Sequence, residues 1–164
     1  MEFKASMSNT VKAMTTLMLI IIVVALIPTV LFLNGYQTLK LGIGLLLLVP
    51  LLISWGFSTR GYTILGSQLC IKRPFGDRTF DLRDVRKSEK VTAKDLRFSL
   101  RTFGNGGLFG YYGKFLNRKF GHMTWYATNL NNTVLLKLKD GSKVLVTPDE
   151  AERFLSETKL YQAY

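Results

Sequence analysis

The feature most suggestive of chemistry in this chain is a glycine-rich segment, residues 104–121, which reads GNGGLFGYYGKFLNRKFG. Glycine-rich loops often hold phosphate groups through their backbone N–H groups. A Walker-type loop needs Ser or Thr directly after its Gly-Lys pair, but here Phe115 follows Lys114. A dinucleotide-binding loop needs the pattern Gly-x-Gly-x-x-Gly, and Phe109 replaces its third glycine. The spacing therefore excludes both kinds of phosphate site.

Cysteine and histidine chemistry is limited to one residue of each type, Cys70 and His122. A single cysteine forms no intramolecular disulfide and cannot complete a cysteine-based zinc site within one chain. The Gly-x-Ser-x-Gly motif of serine hydrolases does not occur, and His122 lies in the apolar, aromatic run GHMTWYAT. The sequence therefore predicts no cofactor and no metal-binding residue.

Acidic residues offer the remaining route to catalysis. The candidates for acid–base or metal chemistry are Asp77, Asp81, Asp84 and Glu89. Basic residues alternate with them, namely Arg78, Arg83, Arg86 and Lys87. This alternation is typical of a solvated surface with ion pairs. We therefore predict no catalytic residue and no enzymatic activity.

The charges are concentrated in the second part of the chain. Residues 59–164 carry 19 of the 22 basic and 10 of the 11 acidic side chains. Residues 13–33 are uncharged and long enough to cross a hydrocarbon core of about 30 Å, and they exceed the apolar core of a secretory signal. Residues 41–57 form a second apolar run. We predict three parts: a cytoplasmic segment 1–12, a transmembrane helical hairpin 13–58 with spans at about 13–33 and 41–57, and a cytoplasmic domain 59–164.

The orientation follows from the basic residues near the spans. Asn34-Gly35 is a turn signal, so the two helices should form a hairpin with both ends on one side. The connecting loop contains only Lys40, whereas the outer ends are flanked by Lys4, Lys12, Arg60, Lys72 and Arg73. The positive-inside rule then predicts a multi-pass protein of the cytoplasmic membrane with both termini in the cytoplasm.

The polar domain reads as mainly β. Short β-prone runs alternate with turn residues, which predicts six or seven antiparallel strands, including one over residues 97–103. The run VLLKLKDGSKVLV predicts a hairpin with the three-residue loop 139–141, in which Gly141 takes a left-handed conformation. This loop keeps one face apolar, with Leu136, Leu138, Val144 and Val146.

A C-terminal helix follows the hairpin. Thr147 is the predicted cap, with Pro148 at the first helical position and Glu150 completing a capping box. The spacing of three and four residues predicts a buried stripe of Ala151, Phe154, Leu155 and Thr158.

The order of these elements resembles the bacterial pleckstrin-homology-like (PH-like) domains, over about residues 60–158. The strings that carry the resemblance are LCIKRPFGDRTFDLRDV, the glycine-rich segment and VLLKLKDGSKVLVTPDEAERFL. The resemblance implies a small β-barrel or sandwich with a C-terminal capping helix. It also implies an interaction or assembly module, and the glycine-rich segment is then an irregular crossover between strands.

The resemblance indicates where a ligand would bind. Lys72, Arg73 and Arg78 occupy a place comparable to the phosphoinositide-binding residues of the wider superfamily, although Phe80 stands where a second arginine is usual. The glycine-rich segment is either architectural or a recognition surface. As a surface, it would use Tyr111, Tyr112, Lys114, Arg118 and Lys119.

Two functional hypotheses remain from different classes. The first is a non-catalytic, membrane-anchored PH-like module that binds a protein partner or an anionic lipid surface, because a basic domain is attracted to an anionic leaflet. Its alternative is a structural or assembly subunit of a membrane complex without lipid recognition. The expected protein partner is either an unidentified protein or a second copy of the chain. An enzyme of unknown class ranks lower. No nucleic-acid-binding motif occurs, so no nucleic-acid partner is expected.

Overall fold

Two apolar helices dominate the first third of the computed structural model, which describes residues 1–32 and 35–162. Helix α1 spans Asn9–Phe32 and helix α2 spans Gln37–Gly56. Both are long and apolar enough to cross a membrane, and most of their large apolar side chains are exposed. The helices therefore coincide closely with the two predicted spans. The predicted turn residue Asn34 lies outside the described residues.

A short strand precedes the helices and was not predicted from the sequence. Strand β1, Glu2–Lys4, pairs antiparallel with β2, Gly61–Leu65, so that Phe3 lies opposite Tyr62. The segment 1–12 therefore contributes to the same sheet as the first strand after α2. The boundaries predicted for the three parts of the chain, 1–12, 13–58 and 59–164, remain a prediction.

The remaining strands complete two sheets. Strands β3 (Gln68–Lys72) and β4 (Arg78–Asp81) extend the first sheet, in the order β1-β2-β3-β4. The other strands are β5 (Val85–Val91), β6 (Leu100–Gly106), β7 (Tyr111–Asn117), β8 (Gly121–Ala127), β9 (Thr133–Leu138) and β10 (Lys143–Val146). They form a second sheet in the order β5-β9-β10-β8-β7-β6. Helix α3 (Ala93–Leu96) follows β5, and helix α4 (Ala151–Leu160) follows β10.

The strand count and one strand direction differ from the prediction. Nine strands follow α2 within the described residues, and β8 pairs with β10 in parallel. One extra strand arises because a 3-10 turn at Leu82–Asp84 divides the run RTFDLRDV between β4 and β5. The Asp81 carboxylate accepts a hydrogen bond from the Arg83 N–H at 2.9 Å and so stabilises this turn.

The main hydrophobic core lies between the two sheets and beneath α4. Phe154 of α4 is fully buried, and its ring centroid lies 5.2 Å from that of Phe3 and 5.9 Å from that of Tyr62. Alternate residues of β9 and β10 face the same core, namely Val134, Leu136, Val144 and Val146. The prediction of two apolar helices followed by a mainly-β domain with a C-terminal helix is confirmed.

The β9–β10 hairpin has the predicted loop and register. Val144 lies opposite Leu136, so residues 139–141 form a three-residue loop. Gly141 has φ +84°, and its N–H donates a hydrogen bond to the Leu138 carbonyl at 3.1 Å. Asp-Gly turn chemistry and apolar alternation therefore fixed this hairpin locally.

The predicted start of the C-terminal helix is wrong, although its buried face is right. Helix α4 begins at Ala151, and Thr147 stays in extended chain because its groups bond to distant strands. Its Oγ1 accepts the Thr128 N–H at 2.8 Å, and its N–H donates to the Tyr62 hydroxyl at 2.9 Å. The predicted stripe packs on the core, with Ala151, Phe154 and Thr158 buried and Leu155 partly buried.

The glycine-rich segment forms a β-hairpin rather than the irregular crossover that was predicted. Strands β6 and β7 pair antiparallel with Gly104 opposite Gly113, at φ +109° and +116°. A Cβ on Gly104 would lie 2.2 Å from the Tyr112 carbonyl oxygen, so glycine permits close approach of the two strands. The predicted strand over 97–103 is correspondingly shifted to Leu100–Gly106.

Candidate interaction surfaces

The loop between β3 and β4 contains the first group of predicted basic site residues. The Lys72 Nζ lies 2.7 Å from Asp77 Oδ2, and the Asp77 Oδ1 accepts the backbone N–H of Arg73 at 3.2 Å. The hydrogen bond from Lys72 lowers the pKa of Asp77, and the same bond raises the pKa of Lys72. Both groups are therefore charged at neutral pH, and Asp77 closes the loop.

The two arginines of this group lie against aromatic rings. The Arg73 guanidinium carbon lies 5.6 Å from the Phe57 ring centroid and 5.9 Å from that of Tyr126. The guanidinium of Arg78 lies 5.8 Å from the Phe80 ring centroid. These are cation–π distances. The side chains predicted to bind phosphate thus make intramolecular contacts.

The same loop rests on the end of α2 through an aromatic cluster. The Phe75 ring makes edge-to-face contacts with Trp55 and Phe57, at centroid distances of 6.1 and 6.0 Å. Its backbone N–H donates a hydrogen bond to the Gly56 carbonyl at 2.8 Å. A Cβ on Gly56 would lie 2.1 Å from the Phe75 ring, so only glycine allows this contact. The first sheet therefore packs directly on the end of α2.

The two predicted tyrosines lie at the end of β7 that is nearest the helices. The Tyr112 ring centroid lies 6.4 Å from that of Phe57, which follows α2. The Tyr111 ring packs edge-on against Trp125 at 6.4 Å, and burial raises the pKa of Tyr111. The fold therefore brings these tyrosines to the same side of the domain as Arg73.

The remaining basic residues lie progressively farther from the helices. Lys114 is exposed in the middle of β7, and Arg118 and Lys119 are exposed in the turn that follows it. Strands rise about 3.3 Å per residue, so the last residue of β7, Asn117, is roughly 20 Å from Tyr111, and Arg118 follows it. The Lys119 Nζ lies 2.7 Å from Asp95 Oδ1 and lowers the pKa of that carboxyl. The eight predicted site residues thus do not form one cluster.

An apolar edge is a surface that the sequence reasoning missed. Strand β6 lies at the end of the six-stranded sheet, and no described strand pairs with its outer side. Phe103 on this strand is 76% exposed and Leu100 is 68% exposed. Phe98 just before it is also 76% exposed and has φ +65°. The alternating pattern predicted a strand here, but alternation does not reveal which strand lies at the edge.

The residues with potential for chemistry are dispersed. Burial raises the pKa of the Cys70 thiol, whose Sγ lies 3.4 Å from an Asp77 carboxylate oxygen. A raised pKa disfavours the nucleophilic thiolate. His122 is exposed on β8. Within residues 1–32 and 35–162, no group of three or more His, Cys, Asp or Glu residues is arranged to hold a metal ion.

Two sheets with a C-terminal helix across the core match the arrangement implied by the sequence resemblance. A search against family profiles matches residues 60–161 to the family described as bacterial PH domain. This chain belongs to the bacterial PH domain family. Searches of curated proteins and of solved structures gave no match.

The family match defines what is additional in this bacterial PH domain protein. The matched region begins at Arg60 and so excludes β1, α1 and α2. PH domains are generally interaction modules without catalytic activity, and nothing in the described residues indicates an enzyme. The function is therefore to be sought on the surfaces of the domain and in its attachment to the helices.

Proposed function

We propose that this bacterial PH domain protein is a non-catalytic interaction module anchored in the cytoplasmic membrane by α1 and α2, with both termini in the cytoplasm. The observation that supports this proposal is that the PH domain contacts both helices. The Ser8 N–H at the start of α1 donates to the Thr128 carbonyl at 3.0 Å, and Phe75 packs on the end of α2. Such attachment presents the far end of the domain and the β6 edge to the cytoplasm.

The partner that we propose is a protein segment of acidic character that adds in extended form to β6. An uncovered edge strand offers unpaired backbone groups to another strand, and its exposed apolar side chains offer additional contact area. Phe103 and Leu100 provide these side chains. Basic residues lie near them and favour an acidic partner: Lys114 is opposite Phe103, Arg101 is on β6, and Arg97 and Arg118 lie just beyond the ends of β6 and β7.

Recognition of anionic lipid by the basic residues has weaker support. The Arg73 guanidinium packs on an aromatic ring, and Lys72 pairs with Asp77. Arg118 and Lys119 lie at the end of β7 that is farthest from the helices. Surface charges act on a membrane over about one Debye length, which is roughly 8–10 Å in physiological salt. Distance and intramolecular pairing thus both argue against recognition of a lipid surface by these residues.

The anchor and its orientation are tested with topology reporters. A reporter fused after Tyr164 should be active in the cytoplasm, and one inserted at Gln37 should be active outside. The positive-inside distribution of Lys4, Lys12 and Arg60 is the reason for this expectation. A cytoplasmic signal from both fusions would contradict the two-span anchor.

The partner surface is tested by photocrosslinking in intact membranes. A photoreactive residue at Phe103 should capture a specific protein, whereas one at Asp140, exposed three strands away, should not. Lys114→Glu should weaken the capture by repelling an acidic segment, and Lys139→Glu is the control with the same charge change. Equal capture at both positions, or equal effects of both charge reversals, would contradict the proposed edge. Capture of a second copy of the chain would instead favour self-association.

A further inference from the structure

The tip of the β6–β7 hairpin lies beside the apolar helices rather than in open solvent. Leu108 lines a crevice of about 350 Å³ together with Met14, Leu17 and Ile21 of α1. Gly107 is so close to α1 that a Cβ on it would lie 2.9 Å from the Met14 sulfur. The hairpin tip therefore packs on the side of a helix that is long enough to cross a membrane.

The second tip residue faces the other helix. Phe109 lines a crevice of about 490 Å³ with α2 residues that include Leu48, Leu52 and Trp55. Leu48 lies seven residues before Trp55, which is about 10 Å along a helix axis. Tryptophan is enriched at the membrane–water interface, so Phe109 reaches a level below that interface if α2 spans the bilayer.

Three N–H groups and two carbonyls of the tip, residues 107–110, are hydrogen-bonded within the protein. The Gly107 N–H donates to the Gly110 carbonyl at 2.9 Å, and the Leu108 N–H donates to Asn105 Oδ1 at 3.3 Å. The Phe109 N–H donates to the Thr15 hydroxyl of α1 at 3.0 Å. The Asn105 side-chain amide also donates to the Leu108 carbonyl at 2.7 Å. Non-helical backbone is tolerated at membrane depth where it is buried in protein, and Gly107 and Gly110 of the tip are buried.

The composition of the hairpin fits the same environment. No charged residue occurs between Arg101 and Lys114, and the tip itself carries Leu108 and Phe109. Tyr111 and Tyr112 follow directly, and tyrosine is favoured at the interface where a ring meets lipid and its hydroxyl meets water. Charge first returns at Lys114, at the middle of β7.

We propose that residues 107–110 form a third membrane contact, in which Leu108 and Phe109 insert among lipid acyl chains of the cytoplasmic leaflet beside α1 and α2. This inference rests on the proposed membrane anchor. Acyl chains fill the two crevices, since apolar side chains of α1, α2 and the tip form most of the lining of both. The insertion fixes the height and rotation of the PH domain above the membrane, because the paired strands β6 and β7 join the tip to the six-stranded sheet.

The experiment uses the full chain in phosphatidylcholine vesicles. Cys70→Ser removes the native thiol, and single cysteines replace Leu108, Leu46 on the exposed face of α2, or Arg118 at the far end of the sheet. Each cysteine carries an environment-sensitive fluorophore, and nitroxide groups on the acyl chains act as the quencher. We expect quenching at Leu108 comparable with that at Leu46, together with a blue-shifted emission, and no quenching at Arg118.

The outcomes separate the insertion from the anchor. Quenching at Leu46 without quenching at Leu108 would overturn the insertion and leave the two-span anchor standing. No quenching at either position would overturn the anchor, and with it the insertion. Quenching at Arg118 equal to that at Leu108 would also overturn the proposal, because the hairpin would then lie flat on the bilayer rather than insert by its tip.

Discussion

The tip of the β6–β7 hairpin is apolar and packs against α1 and α2, whereas the opposite end of β7 is charged and exposed. At the first end, Phe109 donates its N–H to Thr15 of α1, and hairpin residues 102–113 are uncharged, although the Arg101 guanidinium lies beside Gly106. At the second, Arg118 and Lys119 are exposed, and Lys119 pairs with Asp95. Within this hairpin, the contact with the helices and the exposed basic residues Arg118 and Lys119 lie at opposite ends. Net charge alone therefore does not locate the surface nearest the membrane.

The largest effect on stability is expected from a substitution that prevents β6 and β7 from pairing. Gly104→Val introduces a Cβ 2.2 Å from the Tyr112 carbonyl oxygen at φ +109°, so β6 and β7 should no longer pair. Gly141→Val is the matched control, because φ is +84° there but no atom lies within 4 Å of the new Cβ. Backbone strain alone should lower the free energy of unfolding of Gly141→Val by about 1–3 kcal/mol. Gly104→Val should lower it by clearly more, because its Cβ also clashes with the neighbouring strand. Thermal unfolding of both variants measures this difference. Equal losses of stability in the two variants would show that the close approach of β6 and β7 at Gly104 is unimportant.

The N-terminal strand gives the next largest effect. Phe3→Ala should lower the free energy of unfolding by about 3–5 kcal/mol, because Phe3 is buried against Phe154. Glu2→Ala on the same strand changes an exposed side chain and should have little effect. Denaturant unfolding of the full chain in detergent compares the two variants. If Phe3→Ala unfolds like the parent, β1 is not part of the domain core.

The hydrogen bond at the helix-side end should have a moderate effect. Thr15→Val removes the acceptor of the Phe109 N–H and keeps the side-chain shape, which should cost about 1–3 kcal/mol in the local opening of the tip. Thr15→Ser keeps the hydroxyl and should preserve protection. Hydrogen exchange of the peptide that contains residues 107–110 measures this opening. Equal exchange in both variants would argue against a role for this bond.

The smallest effect is expected at the charged end. Changing Lys114, Arg118 and Lys119 together to Ala should leave the melting temperature nearly unchanged, because exposed charges contribute little to folding. Lys119 lowers the pKa of Asp95, so its contribution is present above the ordinary carboxyl pKa of about 3.9 and is lost as the pH falls through the lower folded value. Parent and variant should therefore converge in acid. A large loss of stability at neutral pH would contradict the contrast between the two ends.

The correct and incorrect predictions differ in the range of the interactions involved. The β9–β10 register depends on the turn at Gly141 and on alternation within a few residues, and it was predicted correctly. The cap at Thr147 also looked local, but Tyr62 and Thr128 compete for its polar groups from distant strands. Propensity at a single position does not include such competition, so tertiary contacts decided that helix end.

The candidate site was less predictable than the fold. Residue types suggested Lys72, Arg73 and Tyr112 as candidate binding residues, but they did not indicate that Asp77 and aromatic rings contact the two basic ones. The exposed edge residues Leu100 and Phe103 resemble core residues in sequence. Whether such a residue is buried depends on the strand order, which is a property of the whole sheet.

Local sequence patterns were sufficient to predict the two long apolar helices, the mainly-β domain, the closing hairpin and the buried face of α4, because uncharged length, alternation and helical periodicity are local properties. Three features depend on the folded chain instead: β1 pairs with β2, β8 runs parallel to β10, and the tip of the glycine-rich hairpin lies against α1 and α2. Each of these requires contact between segments far apart in the chain. Such contacts are selected by the total burial and hydrogen bonding of the folded protein, which no short stretch of sequence contains.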